Sequence, residues 1–166
     1  MISQKANSGH GSGEVYLLLH NIRSTHNVGS IFRTADATGV VKIYLSGYTP
    51  APIDRFGRAR ADICKASLGA EKTVNWENVA DPSSLINSLK KEGVIVFGLE
   101  QDEKSIDYRS MKKGERNLII LGEEVNGVEE NLLKLCDVIV EIPMLGQKES
   151  LNVSVAVGVV LYSLIS

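Results

Sequence analysis

Three polar motifs, each following an apolar stretch of the chain, contain the residue types best suited to chemistry. The first presents Asn27 and Arg33, the second presents Glu124 between two glycines, and the third presents Ser150 and Asn152 before a long apolar run. Buried amide and hydroxyl groups destabilise a fold unless they find hydrogen-bond partners. These side chains are therefore either satisfied helix caps or the lining of a binding site.

Each motif has a structural and a functional interpretation, and the residues alone leave both open. Asn27 can cap a following helix, whose amino terminus could also receive a phosphate. Arg33 could pair with Asp36 one turn later, or hold a phosphate with its planar guanidinium. Glu123 and Glu124 could form an ordinary acidic turn, or a turn whose glycines let the backbone approach a ligand closely. The pattern predicts polar contacts but not their partners.

The elements that must position these motifs alternate along the chain. Continuous apolar runs separated by helix-like segments predict an α/β fold: a mostly parallel sheet with helices on both faces. Since open parallel sheets bind ligands at the carboxyl ends of their strands, the three motifs should meet at one edge and form one site. The predicted strands cover residues 15–20, 41–46, 94–99, 117–121 and 137–142, and the predicted helices cover residues 28–38, 82–91 and 128–135.

The last segment, beyond residue 150, fits two secondary structures. Val and Leu alternate with small or polar residues there, as in a strand, but an apolar helical face can be drawn as well. In a helix, Ser150, Ser154 and Gly158 would form a small-residue stripe that allows another backbone to approach closely. We favour a tightly packed helix, and a strand remains the alternative.

Length and composition limit the class of protein to which the chain can belong. The chain has 166 residues, a formal net charge of −2 and 43% hydrophobic residues, as expected for one globular domain. We predict a flexible leader over residues 1–14 and a single domain over residues 15–166. The apolar runs are too short for a membrane helix, and the three histidines lack a zinc-ligand pattern, so we expect no membrane and no metal partner. A cytoplasmic location is expected because the leader lacks the apolar core of a signal peptide.

Charge is distributed unevenly despite the small net value. Residues 20–72 carry eight Lys/Arg against four Asp/Glu, whereas residues 73–166 carry nine against fifteen. A basic patch on an acidic body suits a limited contact with phosphates. An ordinary solvated surface is the other interpretation of the same charges.

The residues resemble a known family at three places in the correct order and spacing. The segments are NIRSTHNVGSIFRTADATGV (21–40), LIILGEEVNGV (118–128) and IPMLGQKESLNVSVAVGVVLY (142–162). They resemble the three motifs of the SpoU/TrmH family of SPOUT-class RNA methyltransferases. The resemblance implies methyl transfer from S-adenosylmethionine to a ribose 2′-hydroxyl in tRNA or rRNA. It also implies a deep C-terminal trefoil knot that forms the cofactor pocket, and a homodimer.

The resemblance assigns expected roles residue by residue. The motif residues fall on Asn27, Arg33, Glu124, Ser150 and Asn152. The cofactor is expected near Leu121, Gly122, Glu123, Gly127, Ile142, Pro143, Met144, Gly146, Ser150 and Leu151. RNA is expected to contact Arg23, Arg55, Arg58, Arg60 and Lys65.

Elementary chemistry refines these roles. A guanidinium is almost never deprotonated, so we expect Arg33 to hold a phosphate or the developing alkoxide and not to act as a base. Asn27 and Ser150 would then orient the hydroxyl, while Glu124 and Asn152 would hold the loops in place. A non-catalytic RNA-binding or assembly module with the same fold is the alternative. A dinucleotide-dependent dehydrogenase is disfavoured because no GxGxxG motif follows the first strand.

Overall fold

Within residues 13–166, seven parallel strands form the central layer of the fold. The computed structural model describes residues 13–166, so residues 1–12, which make up most of the predicted leader, lie outside the described part. The sheet has the order β3-β2-β1-β6-β4-β7-β5, and every neighbouring pair is parallel. The strands are β1 Glu14–His20, β2 Lys42–Ser46, β3 Asn75–Val79, β4 Ile95–Leu99, β5 Ile106–Asp107, β6 Arg116–Leu121 and β7 Val138–Glu141.

Helices cover both faces of this sheet, as predicted. They are α1 Thr25–Thr38, α2 Ala61–Ser67, α3 Ala70–Thr73, α4 Pro82–Lys91, α5 Glu130–Leu133 and α6 Val153–Ile165, with a 3₁₀ turn at Tyr108–Ser110. Successive strand residues point to opposite faces. Leu17 and Leu19 therefore pack with α1, α2, α3 and α6, while Leu18 packs with α4 and α5. The fold has three layers, helix, sheet and helix.

The C-terminal segment is a helix, so the strand alternative is wrong. Its buried residues Val157, Val160 and Leu161 join the same core cluster as Phe32 of α1. The proposed close approach of a backbone to Gly158 is not found, because a Cβ there would meet only the methyl group of Thr34, at 3.7 Å. Apolar side chains, and not a glycine contact, hold α6 against α1.

Sequence patterning located the buried elements and missed the peripheral ones. The five predicted strands correspond to β1, β2, β4, β6 and β7, each within one or two residues. The predicted helix over residues 128–135 is only four residues long. The strands β3 and β5 and the helices α2 and α3 were not predicted. Within residues 13–166, no helix combines the length and the apolar character that crossing a membrane requires.

Candidate active site

The first motif forms the turn between β1 and the start of α1. The helix is capped by Ser24, whose hydroxyl accepts a hydrogen bond from the Asn27 backbone at 3.2 Å. Our expectation that Asn27 caps α1 is therefore wrong, because the helix begins two residues before it. Asn27 instead lies in the first turn with its side chain buried. Its side-chain amide can therefore form hydrogen bonds with the other two motifs.

Glu124 of the second motif binds this turn directly. Its carboxylate accepts hydrogen bonds from the backbone amides of Arg23 and Ser24 and from the Asn27 side chain, each at 3.1 Å. Partial desolvation alone would raise the pKa of Glu124, but these hydrogen bonds outweigh it and lower the pKa below its ordinary value. The carboxylate therefore joins the loop after β6 to the loop after β1.

Asn152 of the third motif completes the connection. Its side-chain oxygen accepts from the Ser154 backbone at 2.9 Å and so caps α6. Its side-chain nitrogen donates to the Asn27 side-chain oxygen at 3.1 Å. The three motifs meet at one edge of the sheet, as predicted from their positions after parallel strands.

This network changes what can be expected of Asn27. Its nitrogen donates to Glu124 and its oxygen accepts from Asn152. Both ends of the amide thus have protein partners, and the buried side chain does not line the cavity described below. The geometry favours a positioning role for Asn27.

Arg33 is an exposed polar group of the first motif and stays available to a ligand. It lies on the exposed side of α1, and within residues 13–166 it forms no ion pair. The Arg33–Asp36 pair that we considered does not form, and Asp36 accepts a hydrogen bond from Thr73 at 2.7 Å instead. An exposed guanidinium that forms no ion pair within the described residues is suited to an anionic group.

A cavity of about 320 Å³ opens where the loops after β4, β6 and β7 meet. Ser150 lines it, whereas Asn27, Arg33 and Asn152 do not. Of the residues expected to hold the cofactor, Pro143 and Gly146 do not line the cavity. Those that do are Leu121, Gly122, Glu123, Gly127, Ile142, Met144, Ser150 and Leu151.

The end of β4 also contributes to the cavity, which sequence reasoning missed. Leu99, Glu100 and Gln101 line it. Glu100 accepts from the Val128 backbone at 2.8 Å, and Gln101 donates to the Glu149 carbonyl at 2.8 Å. The signal was present, because these polar residues follow a predicted strand of the same parallel sheet.

The glycines of the second motif shape the loop itself. Gly122 and Gly127 flank a tight turn in which the Gly127 amide donates to the Glu123 carbonyl at 2.8 Å. A Cβ on Gly122 would lie 2.2 Å from the Gly127 carbonyl carbon, and Gly127 has a φ of 72°. Any larger residue at Gly122 would collide with the chain itself. The backbone geometry of the cavity wall thus requires both glycines.

The basic residues expected to bind RNA lie on the loops after β1 and β2 and on α2. Arg55 and Arg58 flank the ring of Phe56, and Arg23 lies 5.4 Å from the ring centre of Tyr48. Arg60 immediately precedes α2 and Lys65 lies within it. Those on the loops lie at the carboxyl edge of the sheet, the edge that carries the cavity.

Comparison with known sequences agrees with this geometry. The SpoU rRNA Methylase family matches residues 14–162. The chain belongs to this family. A protein named "Putative TrmH family tRNA/rRNA methyltransferase" from Staphylococcus saprophyticus is 36% identical over 146 residues, and a Staphylococcus aureus protein of the same name is 35% identical. The aligned region covers 88% of this SpoU-family chain and 56% of each relative, so the chain spans about half their length.

Solved structures show the same architecture. An AdoMet-bound rRNA methyltransferase from Sinorhizobium meliloti superimposes with a TM-score of 0.81 at 29% identity, covering 92% of this chain and 56% of that one. A TrmH/SpoU tRNA modifying enzyme from A. aeolicus gives 0.80 at 26% identity, covering 92% and 74%. A structure described as concerning 2-OH methylation of C/U34 on tRNA gives 0.76 at 25% identity, covering 93% and 95%. The last is close to this SpoU-family chain in length.

Proposed function

We propose that this chain is an S-adenosylmethionine-dependent RNA methyltransferase that methylates a ribose 2′-hydroxyl in tRNA or rRNA. The observation that carries the proposal is the hydrogen-bonded union of the three motifs through Glu124, Asn27 and Asn152 beside a cavity. Such a network leaves Arg33 and Ser150 as the available polar groups of the motif set. Membership of the SpoU family supports the same reaction.

The cavity fits S-adenosylmethionine in size and chemistry. Its volume of about 320 Å³ falls within the range of small-molecule sites. Apolar side chains from Leu121, Ile142 and Leu151 can cover a purine ring. Carboxylates of Glu100 and Glu141 favour a cation in the same space. The bound cofactor would supply a methyl group on a positively charged sulfur.

The protein's own groups would act by placing the substrate. A ribose hydroxyl is a weak nucleophile and must be held in line with the methyl group, so positioning contributes much of the rate. Ser150, exposed at the cavity, would orient the hydroxyl, and Arg33 would hold the adjacent phosphate or the developing negative charge. Glu124, Asn27 and Asn152 would keep the three loops in register. The proton of the hydroxyl would pass to solvent water as the oxygen–methyl bond forms and the sulfur–methyl bond breaks, so Arg33 would not have to act as a base.

The proposal includes the knot and the dimer. The segment after β7 would pass through a neighbouring loop to form a deep trefoil knot, which would shape the cofactor loops. Two chains would form a homodimer in the cytoplasm. The exposed side chains of Val155 and Tyr162 on α6 are consistent with such an interface.

The RNA would be held by the basic residues near the cavity. Arg23, Arg55, Arg58, Arg60 and Lys65 are proposed to contact its phosphates. Transfer RNA is the first substrate to test, because the compared structure closest in length concerns 2-OH methylation of tRNA.

The test is methyl transfer from labelled S-adenosylmethionine to total tRNA and to rRNA, each prepared without the modification. We expect label in one RNA class with the wild-type chain and none without RNA. Cofactor binding without label in either class would instead favour a non-catalytic RNA-binding module and would contradict the proposal.

A further inference from the structure

The loop between β2 and α2 contains a small, rigid turn. Its ends are joined by a bridge between Ile53 and Ala59, and the Asp54 backbone amide donates to the Arg58 carbonyl at 2.8 Å. The Asp54 carboxylate accepts from the backbone amides of Phe56 at 2.8 Å and Arg58 at 3.0 Å. These hydrogen bonds, led by that from Arg58, lower the pKa of Asp54. The turn is therefore held in one shape before any ligand binds.

This turn presents an aromatic ring to solvent. Phe56 is 66% exposed, an unusual position for so large an apolar side chain. The guanidinium carbons of Arg55 and Arg58 lie 4.8 and 5.0 Å from its ring centre. Phe56 belongs to neither core cluster, so the fold gives no reason for this residue.

The charges around the ring favour an anionic partner. Asp54 compensates Arg58 through an ion pair of 3.1 Å. Within the described residues Arg55 forms no ion pair, whereas the charge of Arg60 helps to lower the pKa values of Asp54 and Asp62. The surface thus combines a flat apolar face with uncompensated positive charge. An anionic strand bearing flat rings has the complementary chemistry, whereas an apolar protein surface would leave the guanidinium groups without partners.

A duplex and a single strand differ in what they can offer this surface. Paired bases are stacked on each other, so their faces are closed to a protein side chain. Unpaired bases can be splayed out and stacked on aromatic rings and guanidinium planes.

A second exposed aromatic side chain, Tyr48 beside Arg23, lies at the same carboxyl edge of the sheet.

We propose that Phe56, flanked by Arg55 and Arg58, stacks on an unpaired base of the RNA and so directs the enzyme to single-stranded loops. The inference rests on the proposed RNA methyltransferase function, whose substrate class it narrows. The ring supplies a sequence-tolerant contact, because every base has an aromatic face. The guanidinium groups would contact the neighbouring phosphates.

The test compares two labelled RNAs of equal composition, a stem-loop and a blunt duplex, by fluorescence anisotropy. The full chain is used as wild type, Phe56→Ala, Phe56→Trp and Val41→Ala. Val41 is an exposed apolar residue just before β2, at the opposite edge of the sheet, and serves as the matched control. Thermal unfolding of each variant checks the fold.

We expect Phe56→Ala to raise the Kd for the stem-loop about 5- to 100-fold, the range that stacking of one base predicts. Its Kd for the duplex should stay within about 2-fold, since phosphate contacts are retained. The salt dependence should be unchanged, because no charge is removed. Phe56→Trp should bind like the wild type, and Val41→Ala should have no effect.

The outcomes separate this inference from the function on which it rests. If Phe56→Ala weakens both RNAs equally, or neither, the stacking role is wrong, even where the wild type methylates RNA. Equal weakening of both RNAs would indicate a contact that does not depend on unpaired bases, and weakening of neither would leave a protein contact as the use of Phe56. If binding of the stem-loop depends on Phe56 but no RNA is methylated, stacking is supported and the proposed reaction fails.

Discussion

Glu124 accepts two hydrogen bonds from backbone amides of the turn before α1 and one from the Asn27 side chain within α1, so its carboxylate holds two loops of the candidate site together. A glutamine in its place would direct an amide N–H towards one of these donors. The free energy of unfolding should therefore fall in Glu124→Gln, by about 1 kcal/mol for so exposed a group.

The pH dependence of this effect has a definite sign. The folded-state pKa of Glu124 lies below its ordinary value of 4.5, so its contribution is fully present above that pH. It is lost as the pH falls through the lower folded-state pKa. Urea unfolding at a series of pH values should show a constant gap between wild type and Glu124→Gln above pH 4.5, and a narrowing gap below it. A gap that widens on acidification would contradict this assignment.

Unlike Asn27, Glu124 and Asn152, Arg33 takes no part in the hydrogen-bonded motif network within residues 13–166, and it forms no ion pair there. Replacement by lysine keeps the charge but removes the planar, bidentate geometry. If Arg33 positions a phosphate or a developing alkoxide, Arg33→Lys should lower kcat on the order of 100-fold or more. Binding of S-adenosylmethionine, measured by calorimetry, should be unchanged, because Arg33 does not line the cavity.

The matched control for this substitution is Arg116→Lys. Arg116 begins β6 at the opposite edge of the sheet, where it pairs with Glu14 and Glu92. The Arg116→Lys variant should retain wild-type turnover. Near-wild-type turnover in Arg33→Lys would show that the guanidinium of Arg33 has no role in the reaction.

At the scale of elements, burial decided what could be predicted. β1, β4 and β6 are continuous apolar runs, and their period and length identify them without further information. The edge strand β3, with the sequence NWENV, is half exposed and has no such pattern. The two-residue strand β5 exists only because β7 lies beside it. Helix α6 could be separated from a strand only by its packing on α1.

The amino terminus of α6 connects this scale to the site. Asn152 both caps the helix and donates to Asn27, so Asn152→Ala should lower the free energy of unfolding by about 1–2 kcal/mol. It should also weaken binding of S-adenosylmethionine, because the loop after β7 loses its anchor. Asn152→Ser keeps a helix cap but loses the hydrogen bond to Asn27. Compared with Asn152→Ala, it should therefore regain more of the free energy of unfolding than of the affinity for S-adenosylmethionine.

Asp81→Ala provides the control for capping alone. Asp81 caps α4 on the other face of the sheet by accepting from the Ser84 backbone. The Asp81→Ala substitution should lower the free energy of unfolding by a similar amount and leave the affinity for S-adenosylmethionine unchanged. Equal loss of affinity in Asp81→Ala and Asn152→Ala would show that the effect is general destabilisation.

Over the whole molecule, charge and cavity lie on the same edge of the sheet. The chain carries a net charge of −2, yet four arginines lie on the loops after β1 and β2: Arg23, Arg55, Arg58 and Arg60. Neutralising Arg55, Arg58, Arg60 and Lys65 together should weaken binding of tRNA and reduce the slope of log Kd against log salt. Filter binding at several salt concentrations measures both. An unchanged slope would show that RNA binds elsewhere.

The candidate site was predictable in part, because parallel strands bring their carboxyl ends together whatever joins them. That rule placed Asn27, Glu124 and Asn152 in one region. It could not show that Ser24 is the cap, or that both ends of the Asn27 amide are occupied. Those facts depend on where a helix begins and on side-chain rotamers, which the spacing of residues does not determine. The contribution of Gln101 was not predicted, because its contact with the Glu149 carbonyl depends on how the loop after β7 folds back over the end of β4.

The most direct test of the account is the chemical position of the transferred methyl group. RNA treated with the wild-type chain and labelled S-adenosylmethionine is digested to nucleosides and analysed by mass spectrometry, with Arg33→Lys in parallel. We predict that the label appears in a 2′-O-methylated nucleoside with the wild type and is nearly absent with Arg33→Lys. Label on a base would contradict the proposed reaction.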